Sequence, residues 1–548
     1  MMFTLDPYAA RSCPLKTVYA FRPDVARPRA DGSRGLPGSG EFIHDVLDRI
    51  SSVDGALDLR GLVTASHEEQ ETACLAAMAA GAPVIVGGLL PRDWALHRQG
   101  RPDLLVRHPH GGYVPGVAKF QRALDPRKDD LPFRFSRLAS PGVPIEATGW
   151  RYRWHWRWPN ALQLAHLWHL LGPTGFRSEE PVGLVVGTDR VDSPDPVATW
   201  VSLAEAAVPV APQQDEAGDG TRAVTALERY DHEFAIRVQL AEEAAADAVS
   251  TAPHPIASHE CSYCDWWQTC RPQLDDDDLS LRIHKSPLDR YEIAGLRRAG
   301  VHTVADLAAA DLDALLPVYL PTVAHRDGAE DRLRVVQRRS RLLSTGSQLD
   351  RLRPGPIGLP RAGLEIDIDI ETSRSDRVYL WGFWVAGAGE GHYRHFSDFS
   401  DLDDAGEVAL ARRAMAWLRD VVSGTDALVF HYSDYEVIRL NRLALAGDET
   451  LDWARTFAET RFFDLFGVVR TNFFGANGLG LKAVANAGPG FSWRDEEPGG
   501  LNSMAWFDDA VGAADPAVRE AARQRVLRYN EDDVRATAAL RAWLRTLD

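Results

Sequence analysis

Four acidic residues alternate with apolar ones in one short stretch of the chain. Between Gly363 and Thr372 the sequence reads Gly-Leu-Glu-Ile-Asp-Ile-Asp-Ile-Glu-Thr. This period-two alternation predicts a β-strand whose acids share one face; they are Glu365, Asp367, Asp369 and Glu371. Such a face needs a cation against it, and carboxylate oxygens suit Mg²⁺ or Mn²⁺. The alternative is a solvated edge strand whose charges prevent unwanted strand pairing.

A cysteine cluster offers a second kind of metal chemistry. Cys261, Cys264 and Cys270 form a C-x2-C-x5-C run, and the other two of the five cysteines are Cys13 and Cys74. Three thiolates this close, completed by a fourth ligand, are typical of a zinc or iron–sulfur centre, and the spacing leaves both open. An odd number of cysteines in a reducing compartment argues against disulfides.

The totals limit the classes of protein. A chain of 548 residues should form about two to four domains. No apolar run approaches the roughly 20 residues that cross a bilayer, and the first residues lack a signal pattern, so we expect a cytoplasmic protein. The net charge is −17, but Arg282 to Arg361 holds 14 Lys and Arg against 9 Asp and Glu. A basic middle of this kind is compatible with binding a nucleic-acid strand.

Four polar residues mark the ends or faces of predicted elements between Cys13 and Cys261. They are His44 in an apolar helix-like run, Asp103 at the start of a strand, Lys119 at the end of a strand, and Gln163 in an apolar helix. This order of marks resembles the RecB-like branch of the PD-(D/E)xK nucleases, in particular the members clasped by an iron–sulfur cluster, as in AddB and the CRISPR adaptation nucleases.

The resemblance implies a restriction-endonuclease-like core and a 4Fe–4S cluster. The cluster ligands that it implies are Cys13, Cys261, Cys264 and Cys270, which leaves Cys74 as an ordinary buried cysteine. It also implies a metal site of His44, Asp103, Lys119 and Gln163, with an acid two residues before the lysine. That position is Val117. Because metal-dependent hydrolysis needs carboxylates, we interpret the module as a degenerate nuclease retained for binding.

Two further segments are candidates for contact with nucleic acid. Residues 151–158 alternate basic and aromatic side chains, which predicts a strand whose basic face, with Arg151, Arg153 and Arg157, contacts phosphates. Residues 299–303 stand between two predicted short helices and resemble a helix-hairpin-helix unit, which offers backbone N–H groups to a phosphate. Arg297 and Arg298 precede that turn.

The C-terminal third resembles the DEDD exonucleases of the RNase H-like fold. Its first motif is Asp369 and Glu371. The family's second acid, usually Asp, matches Glu436, and Asp464 matches a further acid. The last motif, Tyr-x3-Asp, matches Tyr529 and Asp533, which share one helix face at that spacing. The resemblance implies two divalent ions held by Asp369, Glu371, Glu436 and Asp533, with Tyr529 orienting the attacking water.

These observations predict a multi-domain α/β protein. We expect a RecB-like domain with an iron–sulfur clasp over 1–275, a helical helix-hairpin-helix-like connector over 280–345, and an RNase H-like mixed-sheet domain over 360–548. The resemblance implies a metal-dependent 3′–5′ exonuclease acting on DNA ends or single strands in repair or recombination, with a helicase as a further partner. Two alternatives stay open: a DNA-binding scaffold without turnover, and a nuclease whose N-terminal site is the active one.

Overall fold

Two compact units make up the chain in a computed structural model. The structure describes residues 2–22, 24–25, 39–193, 195–210, 222–246, 253–324, 326, 328–386 and 391–547. The first unit comprises Met1–Leu281, Leu288–Thr303 and Asp311–Leu333, and the second comprises Arg282–Pro287, Val304–Ala310 and Arg334–Asp548. Both units combine helices with sheets, so the prediction of a multi-domain α/β protein is confirmed at that level.

The elements are numbered in chain order. The helices are α1 (Pro14–Phe21), α2 (Ser39–Ser51), α3 (His67–Ala79), α4 (Trp154–Leu171), α5 (Ala226–Ala245), α6 (Trp267–Cys270), α7 (Leu279–Arg282), α8 (Arg290–Arg298), α9 (Val304–Ala309), α10 (Leu312–Tyr319), α11 (Ala329–Thr345), α12 (Asp404–Val422), α13 (Tyr435–Ala444), α14 (Glu449–Arg461), α15 (Leu465–Asn472), α16 (Leu481–Ala487), α17 (Gly500–Gly512) and α18 (Pro516–Arg545). The strands are β1 (Leu57–Asp58), β2 (Val84–Val86), β3 (Leu90–Asp93), β4 (Arg98–Gly100), β5 (Leu104–Arg107), β6 (Tyr113–Ala118), β7 (Leu124–Pro126), β8 (Phe133–Arg137), β9 (Ile145–Ala147), β10 (Trp150–Tyr152), β11 (Val182–Arg190), β12 (Pro196–Ser202), β13 (Val208–Val210), β14 (Arg222–Val224), β15 (Leu349–Arg351), β16 (Leu364–Thr372), β17 (Val378–Ala386), β18 (His392–Ser397), β19 (Ala427–His431), β20 (Phe462–Asp464) and β21 (Phe473–Gly475).

An eight-stranded sheet in the order β1-β2-β5-β6-β11-β12-β8-β9 forms the centre of the first unit. β6 is antiparallel to β5 and parallel to β11. All residues of β2 and β6 are buried, as expected of strands covered on both faces. The α4 helix packs on one face around Val117 and Val185, and α2 packs on the other around Val114 and Leu184.

The structure corrects the strand predicted over residues 151–158. β10 ends at Tyr152, and α4 begins at Trp154. The aromatic residues fit a helical period as well as the alternation of a strand. Trp154 and Trp158 are four residues apart and both pack on the sheet core, whereas Trp156, between them, is 62% exposed. Burial of the following α4 residues against β6 and β11 favours the helix over the local strand pattern.

The second unit is built on a five-stranded sheet in the order β18-β17-β16-β19-β20. The central β16 is antiparallel to β17 and parallel to β19. Its isoleucines Ile366, Ile368 and Ile370 are buried in a cluster with Leu410 and Leu418 of α12. The predicted alternation is therefore confirmed, with the apolar face toward α12.

The last helix, α18, supplies partners to the acidic face of β16. Asp515 starts this helix by accepting a hydrogen bond from the backbone N–H of Ala517 at 2.8 Å, and Pro516 occupies the first turn. Arg541 of α18 donates to both Asp367 and Glu365, and Asn530 donates to Asp369. A single long helix thus spans the acidic face from end to end.

Residues 299–303 join α8 to α9, at the position of the predicted turn. Gly300 has φ = +81°, a left-handed conformation that glycine adopts without strain. No described helix is both long and apolar enough to span a membrane.

Candidate active site

The acidic face of β16 is divided between two kinds of partner. Glu365 and Asp367 accept hydrogen bonds from Arg541, and Glu365 also accepts from Arg545 at 2.7 Å. The positive charge expected beside Glu365 and Asp367 is therefore supplied by Arg541 and Arg545. Asp369 and Glu371, further along the strand, receive neutral donors instead. These two acids are the ones left for a metal ion.

Three carboxylates converge at the end of β16. Ligand oxygens of Asp369, Glu371 and Asp533 all lie within 4.8 Å of one another, a spacing that fits a shared divalent ion. Within the described ranges, this is the one group of three or more His, Cys, Asp or Glu side chains that meets this spacing. We refer to these residues as the carboxylate triad.

Neutral hydrogen bonds orient each member of the triad. The amide of Asn530 donates to Asp369 at 2.7 Å, the hydroxyl of Ser503 donates to Glu371, and the indole of Trp493 donates to Asp533 at 2.7 Å. Gly382 on β17 makes room for the first contact, because a Cβ there would lie 1.7 Å from the Asn530 oxygen. Neutral donors of this kind fix Asp369 and Glu371 without neutralising them, whereas Asp533 also lies 3.6 Å from the ammonium of Lys482.

The triad carries an unfavourable electrostatic energy when no metal is bound. Burial raises the pKa of Asp369 well above its usual value, and the charges of Asp533, Glu371 and Glu436 add to that shift. Burial likewise raises the pKa of Asp533. Burial, reinforced by Asp533, raises the pKa of Glu371 from 4.5 to about 8. Crowded buried acids that hold protons more tightly are poised to exchange them for a cation.

These raised pKa values predict how the stability of the metal-free protein depends on pH. Acids with a raised pKa stabilise the folded state fully below their unfolded pKa, and that contribution disappears as the pH rises through the folded pKa. For Glu371 the window runs from 4.5 to about 8. We expect the thermal stability of chelator-treated protein to fall across this window and added Mn²⁺ to restore it most at the alkaline end. Metal-free stability that rises across the window would contradict this expectation.

Glu436 lies beside the triad without joining it. Its oxygens are not in the group within 4.8 Å, although its charge contributes to the raised pKa of Asp369. Glu436 is 4% exposed, and its Oε2 has no hydrogen-bond partner within the described part of the chain; His431 Nδ1 lies 3.8 Å away. Burial raises the pKa of Glu436 to about 8. An orphaned buried carboxylate oxygen fits a further cation ligand.

Three backbone N–H groups hold the carboxylate of Asp464 in place. Its carboxylate accepts from the backbone N–H groups of Ser433 at 3.0 Å, Phe466 at 2.8 Å and Gly467 at 3.1 Å. The residue therefore caps α15 and ties β20 to the turn after β19. These bonds fix the turn that precedes α13, the helix that carries Glu436.

Tyr529 lies under the triad, against a lysine that the sequence patterns do not single out. Tyr529 is 3% exposed, and its hydroxyl accepts a hydrogen bond from Lys482 Nζ at 2.7 Å. The same ammonium is 3.6 Å from Asp533 Oδ1. The sequence does carry one signal for Lys482, since only five of the 61 Lys and Arg residues are lysines. Asn530, Ser503 and Trp493 carry no comparable signal.

The N-terminal candidate residues are brought together in part. Asp103 accepts from the backbone N–H of Ala118 at 2.8 Å, and burial raises its pKa while the neighbouring Lys119 opposes the shift. Gln163 instead accepts from Arg11 at 3.0 Å. His44 is on α2, with its side chain 74% exposed and paired with Asp48 at 2.9 Å. The position two before Lys119, Val117, is fully buried in the sheet core.

The four cysteines of the predicted clasp surround one small cavity. Cys13, Cys261, Cys264 and Cys270 all line this space of about 20 Å³, together with Lys16 and Glu260. Glu260 also accepts a hydrogen bond from the backbone N–H of Cys13 at 3.1 Å, so the two chain segments are joined there. Cys74 lies elsewhere, in the core beside α4, where burial raises its pKa to about 12.

The five arginines proposed to contact nucleic acid differ in their surroundings. Arg153 pairs with Asp125 at 2.9 Å, and Arg157 donates to the backbone carbonyl of Arg122 at 2.8 Å. Arg297 is bound to Asp278 at 2.8 Å and to the carbonyl of Pro255. Arg151 and Arg298 are exposed.

The comparisons with known proteins concern the second unit. A family model described as the RNase_H superfamily matches residues 367–545. Among curated proteins and solved structures, no match to the chain was found. The matched range begins within β16 and ends with α18, so it contains the whole carboxylate triad. A domain of this kind indicates nuclease-type activity on nucleic acid. Residues 367–545 therefore form an RNase H-like domain.

Proposed function

We propose that this chain is a metal-dependent exonuclease whose catalytic centre is the carboxylate triad of the RNase H-like domain. The observation that carries the proposal is the convergence of Asp369, Glu371 and Asp533 in a buried site with raised pKa values. Cleavage from 3′ ends of DNA, in repair or recombination, follows from the resemblance of the motifs to DEDD exonucleases. Nucleoside monophosphates are then the expected products.

The residues present fit a divalent cation. Their donor set is all oxygen, the three carboxylates are close enough to share one ion, and the orphaned Oε2 of Glu436 offers a ligand for a second. Bound Mg²⁺ or Mn²⁺ would supply Lewis acidity for the phosphoryl oxygen and a lower pKa for the attacking water.

The chain's own side chains prepare the site for that chemistry. Asn530, Ser503 and Trp493 hold the triad carboxylates in fixed orientations. Tyr529 places its hydroxyl next to Asp533, where it orients the attacking water. Asp464, through its bonds to Ser433 and α15, holds the segment that carries Glu436.

We further propose that the first unit is a RecB-like module that binds nucleic acid without cutting it. Two observations support this role. Val117, at the position of an essential carboxylate, is buried among apolar side chains, and the exposed His44 is engaged with Asp48. Among the described residues of this unit, no three carboxylate or histidine side chains lie within the 4.8 Å spacing found at the triad. Lys119 then serves binding.

We also propose that the four clasp cysteines hold a 4Fe–4S cluster. The support is that all four cysteines line one cavity, which brings Cys13 to the C-x2-C-x5-C run. One early and three late cysteines are the ligand set that the resemblance to iron–sulfur-clasped nucleases implies. Zinc is the alternative centre that four thiolates would also hold.

A digestion assay with separate substitutions in the two units tests the division of labour. Labelled single-stranded and double-stranded DNA, with RNA in parallel, is incubated with Mn²⁺ and the full chain. We expect Glu371→Gln to abolish digestion, because it removes one triad ligand. We expect Lys119→Ala to preserve kcat and raise KM. Loss of kcat in Lys119→Ala with full activity in Glu371→Gln would assign catalysis to the first unit.

A further inference from the structure

Lys482 is held in one position by the elements around it. It lies in the first turn of α16, and the ammonium is 4.8 Å from the ring centroid of Tyr529 and 5.4 Å from that of Trp493. The helix itself is anchored against α18, since a Cβ at Gly488 would lie 2.8 Å from the Trp543 ring. Packing around Lys482 and α16 therefore directs the ammonium toward the triad.

The hydrogen bond from Lys482 fixes the direction of the Tyr529 hydroxyl proton. An ammonium group only donates, so the Tyr529 oxygen must be the acceptor in the 2.7 Å contact. The hydroxyl has one proton of its own, which must then point away from Lys482. Asp533, whose carboxylate also interacts with the Tyr529 hydroxyl, is the acceptor available for that proton.

The ammonium also suits this place better than a guanidinium. Lysine is a compact point charge, whereas arginine binds carboxylates through a two-pronged fork. An arginine here would engage both oxygens of Asp533 and compete with the metal ion. The chain uses lysine only five times among its 61 Lys and Arg residues, yet it places one at this position.

We infer that Lys482 is a positioning residue for the nuclease reaction: by donating to one lone pair of the Tyr529 oxygen it fixes the hydroxyl, whose proton is directed to Asp533 and whose second lone pair accepts from the attacking water. This inference rests on the proposed function of the triad and goes beyond it. Lys482 acts through Tyr529, because an ammonium group donates hydrogen bonds and offers no lone pair to a metal ion.

A double-substitution cycle tests the inference in the full chain with Mn²⁺ and labelled single-stranded DNA. We expect Lys482→Met and Tyr529→Phe each to lower kcat by about 10²-fold, a loss typical of a misplaced general acid or base. The double variant should lose no more than Tyr529→Phe alone, because both remove the same interaction. KM and the Mn²⁺ affinity from calorimetry should stay within about twofold of the wild type for Lys482→Met, whereas Lys482→Arg should not recover kcat, because its guanidinium would engage Asp533.

Several results would overturn the inference. They are losses that multiply in the double variant, a Lys482→Met loss that lies in KM, recovery of Lys482→Met by excess Mn²⁺, or a Tyr529→Phe variant with wild-type kcat. Lys128→Met, at an exposed lysine of the first unit, is the matched control. Failure of the proposed function is distinguishable, because Glu371→Gln would then retain activity. Thermal unfolding of each variant checks that the fold is intact.

Discussion

Replacing Asp369 with asparagine should lower kcat on the order of 10³-fold while leaving the fold at least as stable as the wild type. The loss follows from removing one of three carboxylates that meet at the end of β16. Stability should not fall, because desolvation and three neighbouring acids raise the pKa of the partly exposed Asp369. Asparagine removes that repulsion and still accepts a hydrogen bond from Asn530.

Asp367→Asn, two residues earlier on the same strand, should have the opposite effect. Asp367 is fully buried and accepts two hydrogen bonds from Arg541, at 3.1 and 2.7 Å. Weakening a buried ion pair of this kind costs about 3 kcal/mol, or about 6–12 °C in the melting temperature of a domain of this size. Because Asp367 lies outside the triad, kcat measured below the melting transition should stay close to that of the wild type.

The two variants together separate structure from catalysis on one strand. The measurements are initial rates of Mn²⁺-dependent digestion and thermal unfolding, each on both variants. If Asp367→Asn lost as much kcat as Asp369→Asn at a temperature where both are folded, the division of the acidic face would be wrong. Equal destabilisation by both substitutions would contradict it as well.

Replacing Cys261 and Cys264 together with serine should unfold or strongly destabilise the first unit. The proposed centre joins Cys13 to a segment about 250 residues later, so it closes a very long loop. The chain-entropy relation for a cross-link of that length gives about 5 kcal/mol, comparable to the whole stability of many domains. Loss of bound iron and of the visible absorbance of an iron–sulfur centre should accompany the destabilisation.

Cys74→Ala is the control for the clasp. Cys74 is fully buried, more so than the clasp cysteines, and lies in the core beside α4, away from their cavity. This variant should retain iron and absorbance and lose only about 1 kcal/mol from the lost packing. Zinc in the wild-type protein in place of iron, or a clasp double variant as stable as the wild type, would contradict the proposed centre.

The sequence predicts the triad well because its members obey local rules. Alternation over β16 places Asp369 and Glu371 on one face, and the four-residue spacing places Tyr529 and Asp533 on one side of α18. The same alternation cannot tell which acids face arginines, because Arg541 and Arg545 are about 175 residues away in sequence. Long-range pairing of this kind leaves no periodic signal.

Other features of the site and the fold could be identified only from the three-dimensional structure. Lys482 and Trp493 reach Asp533 only after α16 and the segment that follows it pack beside α18. Residues 151–158 satisfy both a strand and a helix period, and only the burial of α4 decides between them. The sequence makes Arg297, at the end of α8, a candidate for contact with phosphate. In the structure its guanidinium is instead bound to Asp278 and to the backbone carbonyl of Pro255.

The position of the metal is the most direct test of the central claim. Crystals of the full chain grown with Mn²⁺ should give an anomalous diffraction peak bounded by the carboxylates of Asp369, Glu371 and Asp533. Glu371→Gln crystals grown under the same conditions should show a weaker peak or none. A peak beside Asp103 and Lys119 with none at the triad, or triad carboxylates that remain free of metal at saturating Mn²⁺, would contradict the account.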